Sequence, residues 1–283
     1  MQLMEVHLSV TEYSADASEL LAADTGISKA KIKQAMRKGA VWISRGKKTS
    51  RLRRSKKSLQ AGDVLHLYYN ENVLEKTLPP PVLISDHNEY SIWYKPYGVL
   101  CQGSKWGDHC TIDRMVEMQT EKRTFLVHRL DRATTGLMIL AHSKDAAAKF
   151  SKRFRDRNIE KRYSAIVTGK FPDAETQQTI TSVIDGKQAI SHMSCVDYNQ
   201  TLHRSLVDIK IETGRKHQIR RQLGEMGYPI VGDRLYGQLE KGKEHTANLQ
   251  LCCYSLAFLC PLLETPQHYE LDQGLRPTLT PDS

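Results

Sequence analysis

With 283 residues and 40% hydrophobic content the chain can bury a sizeable core, and at roughly 100–200 residues per domain it predicts one or two domains, not a single small module. Lys and Arg number 41 against 32 Asp and Glu, a formal net charge of +9 that favours a polyanionic partner such as RNA, DNA or an acidic membrane surface. The cysteines, at 101, 110, 195, 252, 253 and 260, form no C-x-x-C pair, which excludes a zinc knuckle or redox dithiol and predicts reduced, mostly buried thiols.

In chain order, the opening MQLMEVHLSV lacks the basic stretch and apolar run of a signal peptide. The most apolar run, CCYSLAFLCPLL at 252–263, is too short to span a bilayer, so a cytoplasmic protein without a membrane partner is expected. Ser28 can cap a helix whose apolar positions Ile32, Ala35 and Met36 follow helical spacing, and Gly39 ends it. The strand AVWIS follows. Then RGKKTSRLRRSKK carries Arg45, Lys47, Lys48, Arg51, Arg53, Arg54, Lys56 and Lys57 with no acidic residue. Such crowding repels itself unless phosphates lie nearby, so these eight residues are read as an RNA-binding loop, against the plainer reading of a solvated one. Gly62 and Asp63 turn the chain into a strand, VLHLYY. Helix, turn, strand, basic loop and Gly-Asp-strand together resemble the small S4-type RNA-binding domain, here with Trp42-Ile43-Ser44 where Val-Asn-Gly is commoner. That domain is assigned to residues 1–75. Pro79, Pro80 and Pro81 mark a linker over 76–87.

Beyond it the pattern is α+β, over 88–265. Strands are predicted at YSIWY, GLMILA, RYSAIV and SLVDIKIE; in the last, Val207, Ile209 and Ile211 alternate with Asp208, Lys210 and Glu212, as in a sheet with one wet face. Ser143 can cap a helix with Ala147, Phe150 and Phe154 on one face, and Asp185-Gly186 reads as a hairpin turn. The segment from Thr265 is polar and expected to fray, leaving 266–283 as a tail.

The chemistry concentrates in FLVHRLDRATTGLMILA, residues 125–141, which sets Asp131 in a tight loop between two strands. Arg129 and Arg132 favour its charged form and suit it to act as nucleophile or base, although an Asp beside Arg more commonly just forms an ion pair. HRLDRATTGLMILA resembles the H-R-L-D-x-x-T-S-G-x-x-x-x-A signature of RluA-type pseudouridine synthases, with Thr135 in place of Ser. KRYSAIVTGK (161–170) and TGRKHQIRRQLGEMGYPIVGDRLYG (213–237) resemble two further blocks of that family. WYKPYGVLCQG (93–103) resembles a fourth, with Tyr94 in place of Asn. QLCCYSLAFLCP stands where the family has L-H-A…L-x-F-x-H-P, with Cys252 in place of His. The likeness covers roughly residues 88–261.

That resemblance implies a pseudouridine synthase fold: a mixed, largely antiparallel sheet flanked by helices. It implies Asp131 as the essential catalytic residue, attacking ribose C1′ or abstracting the C2′ proton. Tyr163 would lie against the target uracil, with a hydroxyl able to serve as a base. Arg220 would pair with Asp131, and Arg129 would enter the RNA stack where the base is flipped out. His128 and His217 are read as structural, and Asp233 as support for the loop. No cofactor or metal is required. The expected partner is RNA, ribosomal ahead of transfer RNA because of the S4-like segment, and the expected state a monomer. Leu130–Thr134 faintly resembles the D-x-D-x-T loop of aspartate-nucleophile phosphatases, but Ala133 stands where that chemistry needs a carboxylate. A non-catalytic RNA-binding or assembly factor fits the charge equally, but not the joint presence of Asp131, Tyr163 and Arg220.

Overall fold

Met4, Val6 and Leu8 alternate with Glu5 and His7. In the computed structural model, which describes residues 2–13, 16–172, 177–237 and 247–279, those three pack inward from strand β1 (Leu3–Ser9). Helix α1 (Ala17–Thr25) starts at Asp16, whose carboxylate accepts from the Ser18 N–H at 2.8 Å. The anticipated helix is α2 (Lys29–Arg37): Ser28 caps it, Ile32, Ala35 and Met36 are buried, and Gly39 follows in the left-handed region. Strands β2 (Val41–Arg45), β3 (Lys48–Arg51) and β4 (Val64–Asn70) complete an antiparallel sheet in the order β1-β4-β2-β3, and a short helix α3 (Glu71–Leu74) follows. Leu21, Ile32, Met36, Ile43, Leu65 and Leu67 form the centre of its core.

This first unit runs to Pro79 and then takes in a second stretch, Gln102–Gln119, which includes most of helix α4 (Ile112–Thr120). From the sequence alone, 102–119 belongs with the larger domain. Side chains explain the attachment: the Trp42 indole donates to the Lys105 carbonyl at 3.1 Å, Lys105 pairs with Glu5 at 2.7 Å, and Asp108 receives both Arg51 and Arg53. None of these partners is near in sequence.

The second unit comprises Pro80–Cys101 and the chain from Thr120. Its strands are β5 (Val82–Asp86), β6 (Tyr90–Lys95), β7 (Phe125–Leu126), β8 (Thr135–Ala141), β9 (Ile159–Thr168), β10 (Gln178–Ile184), β11 (Lys187–Asn199), β12 (Arg204–Ile211), β13 (Leu251–Leu259) and β14 (Pro266–Glu270). Its helices are α5 (Lys144–Arg155) and α6 (Gln218–Glu225). Eight strands run in the order β10-β11-β12-β9-β13-β8-β6-β5, with β14 on β13 and β7 on β8. Every pairing is antiparallel except β8 with β13, so the sheet is mixed and largely antiparallel as expected. Asp185 and Gly186 both have positive φ, the geometry of a tight two-residue hairpin between β10 and β11. Residues Ser205, Val207, Ile209 and Ile211 of β12 are buried and their neighbours are not, which matches the predicted alternation.

The parallel pair fixes the site. At Gly136, where φ is 117°, a Cβ would meet the Cys253 backbone at 2.2–2.7 Å, so only glycine lets β8 lie this close to β13.

Three expectations change here. Val82–Asp86, expected within a linker, is an edge strand paired with β6. The segment after Thr265, expected to fray, adds β14 to β13 and buries Leu271; residues 280–283 lie outside the described residues. In α5, which Ser143 caps as anticipated, the buried alanine is Ala146, not Ala147, beside Phe150. All six cysteines are buried and none is in a disulfide, and no helix among the described residues is long and apolar enough to cross a membrane.

Candidate active site

The loop from Val127 to Thr134 is held from behind by side chains that leave one carboxylate facing out. His128 accepts a hydrogen bond from the Ile139 N–H at 2.9 Å and stacks on Phe154, with ring centroids 4.2 Å apart. Burial pushes its pKa down to about 3, so it is a neutral, structural histidine, as the sequence suggested. The Cys101 thiol brackets the Leu130 peptide, donating to its carbonyl at 3.2 Å and accepting from its N–H at 3.4 Å. Lys95, fully buried, donates to the carbonyls of Pro96 (3.2 Å), Val99 (3.0 Å) and Arg132 (3.4 Å), and burial pushes its pKa down to about 8. The Thr134 N–H closes the turn on the Asp131 carbonyl at 3.1 Å. The Asp131 side chain keeps 26% of its exposure.

The facing wall is α6. Gln218 and Gln222, one helical turn apart, turn their amides onto the sheet: Gln218 donates to the Ile190 carbonyl (3.0 Å) and the Ser191 hydroxyl (2.8 Å), and Gln222 accepts from that hydroxyl at 2.7 Å. Buried amides bonded this way fix the helix in rotation and height. Arg220 therefore points at the loop. Its Nη1 lies 4.0 Å from Asp131 Oδ2. Its Nε and Nη2, however, form a two-pronged pair with Asp233, at 2.8 and 2.7 Å. The expected partner of Asp131 is thus shared, and its closer bonds go to Asp233. Burial opposes the charge on Arg220, but the Asp233 bonds outweigh it and raise its pKa above the ordinary value. Burial likewise pushes the Asp233 carboxyl up, while Arg220 and the Leu235 and Tyr236 N–H groups hold it below the usual range. Asp233 therefore does more than support a loop.

His217 also departs from expectation. Read as structural, it instead faces the site, with Nε2 3.8 Å from Asp131 Oδ1. Burial lowers its pKa, and the Arg220 and Lys216 cations add to that against the opposing pull of Asp131 and Asp233.

Asp131, Tyr163, Arg220 and Arg129 all line one cavity of about 370 Å3, together with Lys216 and His217. Tyr163, on β9, is buried, and burial pushes its phenol well above its ordinary value, so the hydroxyl stays protonated. Arg129 and Lys216 are exposed and offer positive charge to an anionic ligand.

The three departures from the family pattern meet in space. Thr135 lies beside Tyr94 and is the parallel-register partner of Cys252 across β8 and β13, and its hydroxyl donates to the Leu251 carbonyl at 3.3 Å. Burial, foremost, pushes the Cys252 thiol up to about 11, so a neutral thiol stands where the family has an imidazole.

The basic run lies in the first unit and divides into two sets. Arg45 forms a two-pronged pair with Asp63 at 2.8 and 2.7 Å, while Arg51 and Arg53 share Asp108. Lys47, Lys48, Arg54, Lys56 and Lys57 are exposed, with no carboxylate in ion-pair reach among the described residues. Only this second set is uncommitted. The carboxylates came from 63 and 108, outside the run, which is why the sequence did not reveal them.

Residues 89–225 match the model of a family described as RNA pseudouridylate synthase. An uncharacterized RNA pseudouridine synthase of Synechocystis sp. is 29% identical over 252 residues, covering 79% of this chain and 83% of that protein. The tRNA pseudouridine synthase C of Yersinia pestis is 30% identical over 174 residues, 53% of this chain and 67% of its own. The ribosomal large subunit pseudouridine synthase D of Pseudomonas aeruginosa is 37% identical over 127 residues, 41% of this chain and 39% of its own. Among solved structures, Human RNA Pseudouridylate Synthase Domain Containing 4 superposes with a TM-score of 0.56 at 24% identity, over 68% of this chain and 88% of that one, which shows a shared fold. The chain belongs to the RNA pseudouridine synthases of the RluA type and is an isomerase of that family.

Proposed function

We propose that this enzyme converts uridine to pseudouridine in a structured RNA, ribosomal RNA ahead of transfer RNA, with Asp131 as the catalytic residue. Asp131 attacks ribose C1′ or removes the C2′ proton. By either route the C1′–N1 bond breaks, the uracil turns, and C1′ rejoins at C5, which loses its proton while N1 regains one. The observation that supports this most is the convergence of Asp131, Tyr163 and Arg220 on one cavity of about 370 Å3. Tyr163 lies against the flipped uracil. Its protonated hydroxyl can pass a proton on only as it accepts another. Arg129, exposed at the rim, fills the gap the flipped base leaves in the stack. Lys47, Lys48, Arg54, Lys56 and Lys57 hold RNA phosphates.

The preference for ribosomal RNA rests on the S4-like first unit; one relative carries a ribosomal name and another a transfer-RNA name. Tritium release from RNA labelled at uridine C5 tests the reaction. Pseudouridine maps of total RNA from cells with and without the gene test the substrate, and one lost ribosomal site is the expected result. RNA binding without tritium release would instead indicate a non-catalytic RNA-binding or assembly factor.

A further inference from the structure

Tyr236 has no role in the reading above, yet its hydroxyl lies 2.9 Å from His217 Nδ1. The opposite ring nitrogen of His217 is the one 3.8 Å from Asp131. His217 begins α6 with φ 55° and ψ 27°, a left-handed conformation uncommon for a residue with a Cβ, and its side chain makes no capping bond to the helix. The imidazole is thus spent on Tyr236 and Asp131, not on the helix end. The backbone of Tyr236 is itself fixed, because its N–H donates to Asp233 Oδ1 at 3.1 Å, and Asp233 holds Arg220. One short turn, 233–236, therefore stands behind both groups that face the Asp131 carboxylate.

We propose that Tyr236 is a positioning residue for the isomerisation: its hydroxyl donates to His217 Nδ1, which places the imidazole proton on Nε2 and aims it at Asp131, in parallel with the Asp233–Arg220 pair. The inference rests on the assignment of Asp131 as the catalytic residue. A neutral imidazole carries one ring proton. If that proton sat on Nδ1, the Nε2 lone pair would face a carboxylate, an arrangement without attraction. Donation from Tyr236 removes that alternative. The charged groups around His217 are Asp131, Arg220, Lys216 and Asp233, and burial with the two cations keeps the ring neutral, so the tautomer decides its contact with Asp131. On RNA binding the 3.8 Å separation closes to a hydrogen bond, as catalytic contacts commonly tighten in the complex.

Tyr236→Phe removes the hydroxyl alone and keeps the ring that Arg220 lies over, 5.2 Å from its centroid. The single-turnover rate at saturating RNA should fall about tenfold, the worth of one oriented hydrogen bond, while RNA affinity holds. In a His217→Gln background the same change should do nothing further, because the relay is already cut. Nitrogen-15 shifts of the His217 ring should report the Nε2–H tautomer in the wild type and a mixture in Tyr236→Phe. A wild-type rate in Tyr236→Phe, additive effects of the two changes, or an unchanged tautomer would each overturn the proposal. The ring spectra do not depend on turnover. A wild-type protein that releases no tritium would sink the reaction assignment and leave the tautomer result to stand by itself.

Discussion

Each unit contains a three-charge cluster, and the two are opposite in sign. In the first unit two guanidiniums, Arg51 and Arg53, close on one carboxylate, Asp108, and leave one positive charge over. In the second, one guanidinium, Arg220, lies between two carboxylates, Asp233 and Asp131, and leaves one negative charge over. The guanidiniums register the difference. Burial, and then Arg53, depress Arg51 beyond what Asp108 restores, whereas the Asp233 bonds overcome burial at Arg220 and raise it. Surplus positive charge suits a unit that meets a polyanion, and a surplus carboxylate facing a cavity suits a reaction that needs an anion.

The largest expected effect comes from breaking the second cluster at its base. Asp233→Ala strips the buried Arg220 of its two-pronged partner and leaves it only the 4.0 Å contact with Asp131, so the loss should approach the about 3–5 kcal/mol that breaking a buried pair costs, readable by urea denaturation. The sign with pH follows from the depressed Asp233 carboxyl. Its contribution is complete above the ordinary carboxylate range and is lost as the pH falls through its lower folded value, so wild type and Asp233→Ala should converge in strong acid. The pair can then be separated from its catalytic use. Arg220→Met with Asp233→Leu removes both buried charges at similar volume, so most of the stability should return. The single-turnover rate should not, because Asp131 then keeps His217 but no longer faces a guanidinium; recovery of both would make Arg220 purely structural.

The first unit predicts a smaller effect, divided between the two sets of cations in its basic run. Neutralising Lys47, Lys48, Arg54, Lys56 and Lys57 should flatten the slope of log affinity against log salt by about 0.7–0.9 per lost phosphate contact, without loss of stability. Neutralising Arg51 and Arg53 should cost stability first, since they leave Asp108 buried without partners. Equal salt slopes for the two sets would erase the distinction.

What the sequence made legible was local. The Ser28 cap, the Ile32–Ala35–Met36 face, the Asp185-Gly186 turn and the alternation in β12 each depend on neighbours within a few residues, and each holds. What stayed hidden depends on distant partners. β14 has no apolar signature, because the backbone of β13 supplies its pairing. β5 follows three prolines that read as linker. The motif named Asp131, Tyr163 and Arg220, and they do line one cavity. The link between Arg220 and Asp233 spans 13 residues and a turn, and the one between Arg53 and Asp108 spans 55. No local pattern encodes either. His217 reads as structural in the sequence because a satisfied histidine and a site-facing one look alike there; the structure gives the ring both a partner, Tyr236, and a place beside Asp131.

Asp131→Asn tests the central claim most directly. It removes the carboxylate at nearly constant volume and leaves Arg220 paired with Asp233, so fold and RNA affinity should persist. Tritium release from RNA labelled at uridine C5 should fall to background. Release at the wild-type rate would contradict the account, because the chemistry would then not pass through Asp131.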